Sequence, residues 1–287
     1  MSLPHRLRLV LSLSVALFLA SSAFGSKPID TPVRFAMTPA FLHDQHAMLE
    51  TWRSYLSERL GRPVEFVQRD RYRETMDLLQ QQRVEFAWLC DYPYVALGKE
   101  VRLMAVALNN GRPTYRSYLV VPASDQTSQS IADLQGAVFA YADPHSNTGY
   151  LVPRFELRNR GIDGEQFFRR TFFTWSHRKA VSAVAAGLAQ GTAVDSYVWD
   201  SLSQIAPELT AKTRIVWKSE EYGFPPIVAH ASVSDKDFQA MQRVLLGMKD
   251  DETGRAILAR LHLDGFTEGS PRLYDSVAAM MKAVGEH

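Results

Sequence analysis

The chain of 287 residues is 46% hydrophobic, 22% charged and 11% aromatic, which excludes collagen-like, low-complexity and wholly disordered organisation. Its 32 basic and 31 acidic residues balance, so no bulk field draws it to nucleic acid or to an anionic membrane. A single cysteine, Cys90, excludes an intramolecular disulfide framework and any zinc site built on several thiolates.

Arg6 and Arg8 precede an apolar run from Leu9 to Ala20, broken only by Ser12 and Ser14, and the small residues Ala20 to Gly25 follow. About a dozen apolar residues at 1.5 Å each fall short of ~30 Å of hydrocarbon. Residues 1–25 therefore read as a secretory signal cut after Ala23-Phe24-Gly25, rather than as an uncleaved anchor. No cysteine stands at the cut to carry a lipid. The mature chain is expected in the periplasm, without membrane insertion.

From Val33 onward, β-rich runs alternate with helical stripes. Residues 33–37 form a strand, and 46–60 a helix with Met48, Leu49, Trp52, Tyr55, Leu56 and Leu60 on one face, stopped by Gly61-Arg62-Pro63. A strand at 64–67, a helix at 72–82 and a strand at 86–89 follow, the last running into Cys90-Asp91-Tyr92-Pro93-Tyr94. Strands at 102–108 and 115–121 come next. A second set of units has strands at 137–141, 171–175, 192–198 and 213–217. Its helices lie at 148–159 and at 179–189, the latter with Val181, Val184, Ala185 and Leu188 along one side. An extended segment at 225–229 and helices at about 235–248, 252–261 and 271–284 close the chain.

Repeated strand–helix units imply an α/β fold of mostly parallel sheets flanked by helices. Two lobes are expected, joined by extended crossings near 117–122 and 222–228. The first is discontinuous, 26–121 and 222–287, and the second covers 122–221. Ligands of open α/β sheets sit beyond the carboxyl ends of the strands, so two facing lobes make a cleft between them.

One segment is crowded with short polar residues between a strand and a helix: Asp143-Pro144-His145-Ser146-Asn147-Thr148-Gly149-Tyr150-Leu151-Val152-Pro153. Free N–H groups and the macrodipole at a helix start suit an oxyanion, and the hydroxyls of Ser146 and Thr148 add donors. Plain N-capping would use the same residue types, but one cap needs one such residue and three are present.

This string resembles the ligand loop of the phosphate/phosphonate-type periplasmic substrate-binding proteins, Asp-Pro-x-Ser-x-[Ser/Thr]-Gly-[Tyr/Phe]-Leu-Val-Pro. Ile131-Ala132-Asp133-Leu134-Gln135-Gly136, Ser176-His177, Ala193-Val194-Asp195, Gly265-Phe266 and Tyr274-Asp275 fall in the family's order, so the resemblance covers nearly all of 33–280. It implies a two-lobed periplasmic binding-protein fold that closes on a small solute and serves an ABC importer, with no cofactor and no metal. It also implies that Tyr72 and Tyr115, the loop donors Ser146, Asn147 and Thr148, and His177 at a helix start hold the ligand. The family's acid for an amino group on the ligand has no counterpart in Gly223-Phe224-Pro225-Pro226, so an aminoalkyl phosphonate is not expected.

Cys90 departs from an oxyanion site. A thiol suits soft metals or metalloids, whereas phosphate asks for N–H and O–H donors. If Cys90 faces the cleft, a neutral thiol-seeking solute such as arsenite becomes an alternative. A related arsenite-binding group resembling this family reports to a membrane sensor kinase instead of a permease. Otherwise Cys90 is a small buried hydrophobe. Cys90, His177 and Asp195 are also the types a thiol enzyme needs, and Asp91 with Asp143 could pair as acid and base. No nucleophile signature, Walker loop, dinucleotide fingerprint or His-Glu-x-x-His supports an enzyme. Trp175 and Arg169-Arg170 read as packing or solvated edge residues.

Overall fold

The computed structural model describes residues 31–38 and 46–286; the expected secretory signal lies outside them. Among the described residues, no helix is long and apolar enough to cross a membrane.

Two sheets form the two lobes. The first has six strands, in the order Gly265–Thr267, Val101–Leu108, Pro226–His230, Phe86–Trp88, Val33–Met37, Val64–Gln68. Val33–Met37 pairs in parallel with both of its neighbours. The returning strand Pro226–His230 runs antiparallel to Phe86–Trp88 and to Val101–Leu108. The second sheet has five strands, in the order Thr213–Lys218, Ser117–Pro122, Gly191–Asp195, Val138–Tyr141, Arg170–Phe173. Its strand–helix units are again parallel, and Ser117–Pro122 enters antiparallel. The antiparallel strands are thus those that carry the chain between lobes, and those packed beside them.

The crossings pair with each other. Thr114–Tyr115 and Tyr222–Gly223 make a two-stranded antiparallel ribbon, with Tyr222 opposite Tyr115. Ser117–Pro122 lies wholly in the second sheet, so the structure passes from lobe to lobe one strand before the expected boundary at 121/122. An unbroken apolar run from Tyr118 to Val121 gave no mark of that change.

Apolar periodicity located the core well. Met48, Leu49, Trp52, Tyr55 and Leu56 of the helix His46–Leu60 are buried. Trp52 meets Trp88 edge to face at 5.8 Å and Phe35 at 6.0 Å, contacts that add about 0.5–1.5 kcal/mol each beyond area burial. Leu188 departs from its expected stripe and is 67% exposed. The helix His177–Ala185 ends before it, and Gly187, at φ +73, turns the chain away. Residues 192–198 also split: the strand stops at Asp195, whose carboxylate accepts from the N–H groups of Tyr197 and Val198 and starts the helix Ser196–Ile205. β-branched residues on both sides of the aspartate hid that junction from a periodicity reading.

Candidate functional site

The second lobe supplies a neutral, donor-rich loop. Ser146 caps a π-helical turn, Asn147–Leu151, that leads into the helix Val152–Asn159. Such wide turns recur at functional sites. The Ser146 Oγ accepts from the Gly149 N–H at 3.0 Å and lies 3.2 Å from His177 Nε2. His177 Nδ1 accepts from the Asp195 N–H at 3.2 Å, so the ring proton sits on Nε2 and points at Ser146. With both lone pairs engaged, the Ser146 hydroxyl is left as a donor.

Burial pushes the His177 pKa down to about 4, so the ring is neutral at physiological pH. Glycine is required at 149, because a Cβ there would stand 2.5 Å from the Ala142 Cβ and 2.9 Å from His177 Cε1. The Ser117 hydroxyl donates to the Thr148 carbonyl at 2.7 Å. Two polar atoms of the loop, Thr148 Oγ1 and Asn147 Oδ1, are buried without a hydrogen-bond partner. Each costs about 1–3 kcal/mol unless a guest pairs it.

The first lobe answers with a carboxylate. Strand Phe86–Trp88 ends at Leu89, and Cys90 is the N-cap residue of the helix Asp91–Leu97. Asp91 is fully buried. Its Oδ1 accepts from the Tyr115 hydroxyl at 2.7 Å, the Cys90 thiol at 3.0 Å and the Tyr92 N–H at 3.1 Å. Its Oδ2 accepts from Asn147 Nδ2, across the seam, at 2.7 Å. Desolvation pushes the Asp91 pKa up to about 6 against the hydrogen bonds that favour its charged form. Burial, with Asp91 beside it, also holds the Cys90 thiol well above its usual range. Tyr72 packs against Cys90, and burial raises its phenol pKa as well.

Further contacts close the seam around this centre. Asp143, from the second lobe, accepts from the backbone N–H of Tyr72 at 3.2 Å and from that of His145 at 2.8 Å. It thereby caps the helix Tyr72–Gln80, whose own N-cap residue, Arg71, makes no side-chain cap. The Arg71 guanidinium lies 4.4 Å above the Trp175 ring. On another side Arg154 pairs with Glu286, which accepts from the Tyr92 hydroxyl at 2.6 Å.

All seven side chains expected from the sequence, Tyr72, Cys90, Tyr115, Ser146, Asn147, Thr148 and His177, are buried along this seam. Their side chains are not equally open to new partners, for both His177 nitrogens are already engaged. Asp91 and Asp143 do not form a carboxyl pair: separate sets of donors hold them. The carboxylate at the centre of the seam was weighed from the sequence only as an acid–base partner of Asp143 and not as a binding residue, because an acid in the first turn of a helix is ordinary. Its one signal was a place directly after a strand's carboxyl end. Among the described residues, no lysine or arginine is buried, and no group of three His, Cys, Asp or Glu could hold a metal.

A family model described as the phosphonate periplasmic substrate-binding protein of ABC transporters matches residues 35–274. The chain belongs to this family. A phosphate-import protein, PhnD, of Mycolicibacterium smegmatis is 28% identical to this phosphonate-type binding protein over 181 residues, 58% of this chain and 55% of that one. The phosphonates-binding periplasmic protein of Escherichia coli is 26% identical over 156 residues, 53% and 46% of the two chains. The chain thus spans about half the length of the curated relatives it matches.

Among solved structures, PhnD1 of Prochlorococcus marinus in complex with methylphosphonate superposes with a TM-score of 0.81 at 16% identity, covering 89% of this chain and 98% of that one. At that identity the likeness concerns the fold, and it confirms the two-lobed α/β architecture of a binding protein. A family of binding components leaves no role for the thiol-enzyme reading. The local geometry agrees, since His177 turns its nitrogens to Ser146 and Asp195 and has none free for Cys90.

Proposed function

We propose that this phosphonate-type binding protein is a periplasmic receptor that captures a small phosphate- or phosphonate-like oxyanion between its lobes and presents the closed form to an ABC permease. The observation that carries this reading is the buried, unpaired hydroxyl of Thr148, next to the donor hydroxyl of Ser146 on the loop whose Asn147 Nδ2 reaches Asp91 of the first lobe. Polar atoms left unpaired in a buried seam favour a guest that pairs them. A guest that touches both lobes binds the closed form better than the open one, and that differential affinity drives closure. Ser146 and Thr148 would donate to the oxyanion, with His177 and Gly149 fixing the Ser146 rotor. Tyr72, Tyr115 and Asn147 would complete the enclosure.

Thermal denaturation with phosphate, phosphite, methylphosphonate, sulfate and arsenite tests this directly. A true ligand at 100 times its dissociation constant stabilises by about 2.7 kcal/mol, roughly 5–10 °C for a chain of this size. Stabilisation by none of the phosphorus oxyanions would remove the reading.

Cys90 favours a second reading, because its thiol lies inside the seam with Tyr72 and Asp91. Arsenite capture reported to a sensor kinase would use that sulfur. Stabilisation by arsenite that disappears in Cys90→Ser selects it, and phosphonate binding indifferent to that change selects the importer.

A further inference from the structure

The seam carries more acceptors than a fully ionised anion can use. Asp91 Oδ1 is saturated by three donors, whereas Oδ2 receives only Asn147 Nδ2 and keeps a lone pair for one more. Asn147 Oδ1 is a second buried acceptor, and it has no donor at all. The charge balance points the same way. Asp91, Asp143 and Asp195 are each no more than 1% exposed, and no lysine or arginine is buried among the described residues. His177 holds a single ring proton, because its Nδ1 accepts from a backbone N–H. The titratable groups that act on Asp91 from the packed elements are Cys90, Tyr115, Tyr72, Asp195, Tyr222 and Tyr274, all of them acids.

We propose that Asp91 sets the protonation state of the guest: the seam takes a tetrahedral oxyacid that still carries one acidic proton, shared with Asp91 Oδ2, and rejects tetrahedral dianions that have none. This rests on the oxyanion-receptor reading and narrows its substrate class. A dianion oxygen against Asp91 would set like charges in contact in a low-dielectric seam with no cation to offset them. One proton between the two oxygens replaces that repulsion with a short charge-assisted hydrogen bond. Once Asp91 is ionised, above about pH 6, the proton has to come with the guest. The complex therefore holds one proton more than a separated Asp91 carboxylate and dianion.

Calorimetric titration of phosphate, methylphosphonate and sulfate from about pH 5.5 to about pH 8.5 tests this. The expected result is an affinity for phosphate and methylphosphonate that falls about tenfold per pH unit once Asp91 and the guest are both ionised. Sulfate, which has no proton to share, should bind the wild type at least about a hundredfold more weakly than phosphate at about pH 7 and above, where Asp91 is ionised. In Asp91→Asn the pH slope should flatten and the sulfate deficit shrink to within about tenfold. In that variant the Asn147 amide has to turn over so that its Oδ1 accepts from the new amide, which leaves Asn147 Nδ2 as a further donor towards the guest. Should that variant fail to fold, the wild-type slope and the sulfate-to-phosphate ratio decide alone. Phosphate binding that is flat with pH, or sulfate bound as tightly as phosphate, overturns the proton-sharing claim while leaving the receptor reading intact. Binding of neither phosphate nor methylphosphonate at any pH overturns both.

Discussion

The two halves of the seam differ in kind. The second lobe contributes donors on a neutral scaffold: Ser146 and Thr148 are hydroxyls, and His177 is an uncharged ring that orients one of them. The first lobe contributes a buried acid ringed by donors, Asp91 with Tyr115, Cys90 and Asn147 around it. A site built for a fully ionised phosphate would place donors or a cation on both sides and no carboxylate against the guest. An assembly with donors on one wall and an acceptor on the other suits a guest that both accepts and donates.

Thr148 puts the sharpest pressure on that contrast. Thr148→Val removes the unpaired Oγ1 and keeps the shape of the side chain. Phosphate or methylphosphonate affinity should fall about 10–100-fold, the worth of one hydrogen bond to a charged group, while the ligand-free protein holds or gains stability by up to about 1–3 kcal/mol. Calorimetry and denaturant melts read the two effects separately. An affinity left unchanged would place the guest away from the loop.

Gly149→Ala probes the scaffold instead of the contacts. The new Cβ would collide with Ala142 and His177, so urea melts should show a loss of about 1–3 kcal/mol from overpacking. Ligand affinity should weaken too, because the Ser146 rotor depends on both neighbours.

The pH response separates the two halves again. His177 has its folded pKa depressed to about 4 from an ordinary 6.5. The unfolded chain therefore binds a proton first, and this residue's contribution is lost as pH falls from about 6.5 towards 4. Asp91, raised to about 6, acts in the opposite sense: its folded form gains relative stability as pH falls from about 6 towards 4. The two partly cancel in the wild type. His177→Gln should therefore make the ligand-free protein less sensitive to acid than the wild type, by up to about 3 kcal/mol between pH 7 and 4.5 in urea melts. Equal acid sensitivity of the two proteins would mean that the ring is not held neutral.

The smallest effect concerns the lip. Arg71→Ala removes the cation over Trp175, worth about 0.5–1 kcal/mol at an exposed site. Because the contact joins the two lobes, affinity should drop by about two- to fivefold with the melting temperature of the ligand-free protein little changed.

The loop of the second lobe stands out in the sequence, whereas on the opposite wall Tyr72 and Tyr115 were expected only through the family resemblance and Asp91 only as an acid–base partner of Asp143, for a physical reason. A loop that cradles an oxyanion needs several short polar side chains and a glycine in a row, and Ser146 to Gly149 stand together in the chain. The opposite wall is assembled from Tyr72, Asp91 and Tyr115, which are far apart in sequence, and Asp91 alone looks like any acid in a first helical turn. His177 was expected to hold the ligand, but its ring turns one nitrogen to the Asp195 N–H and the other to Ser146. Most elements followed from periodicity. The helix Ser196–Ile205 did not, because its start is marked only by a side-chain cap within a β-branched run. The strand Ser117–Pro122 changed lobes without any break in its apolar pattern.

A crystal structure of the protein grown with methylphosphonate tests the clamp itself. The guest should lie in the seam, with its oxygens within hydrogen-bond distance of Ser146 Oγ and Thr148 Oγ1 and one oxygen within hydrogen-bond distance of Asp91 Oδ2. A guest bound elsewhere, or a seam in which Thr148 and Asp91 pair only with protein, would contradict it.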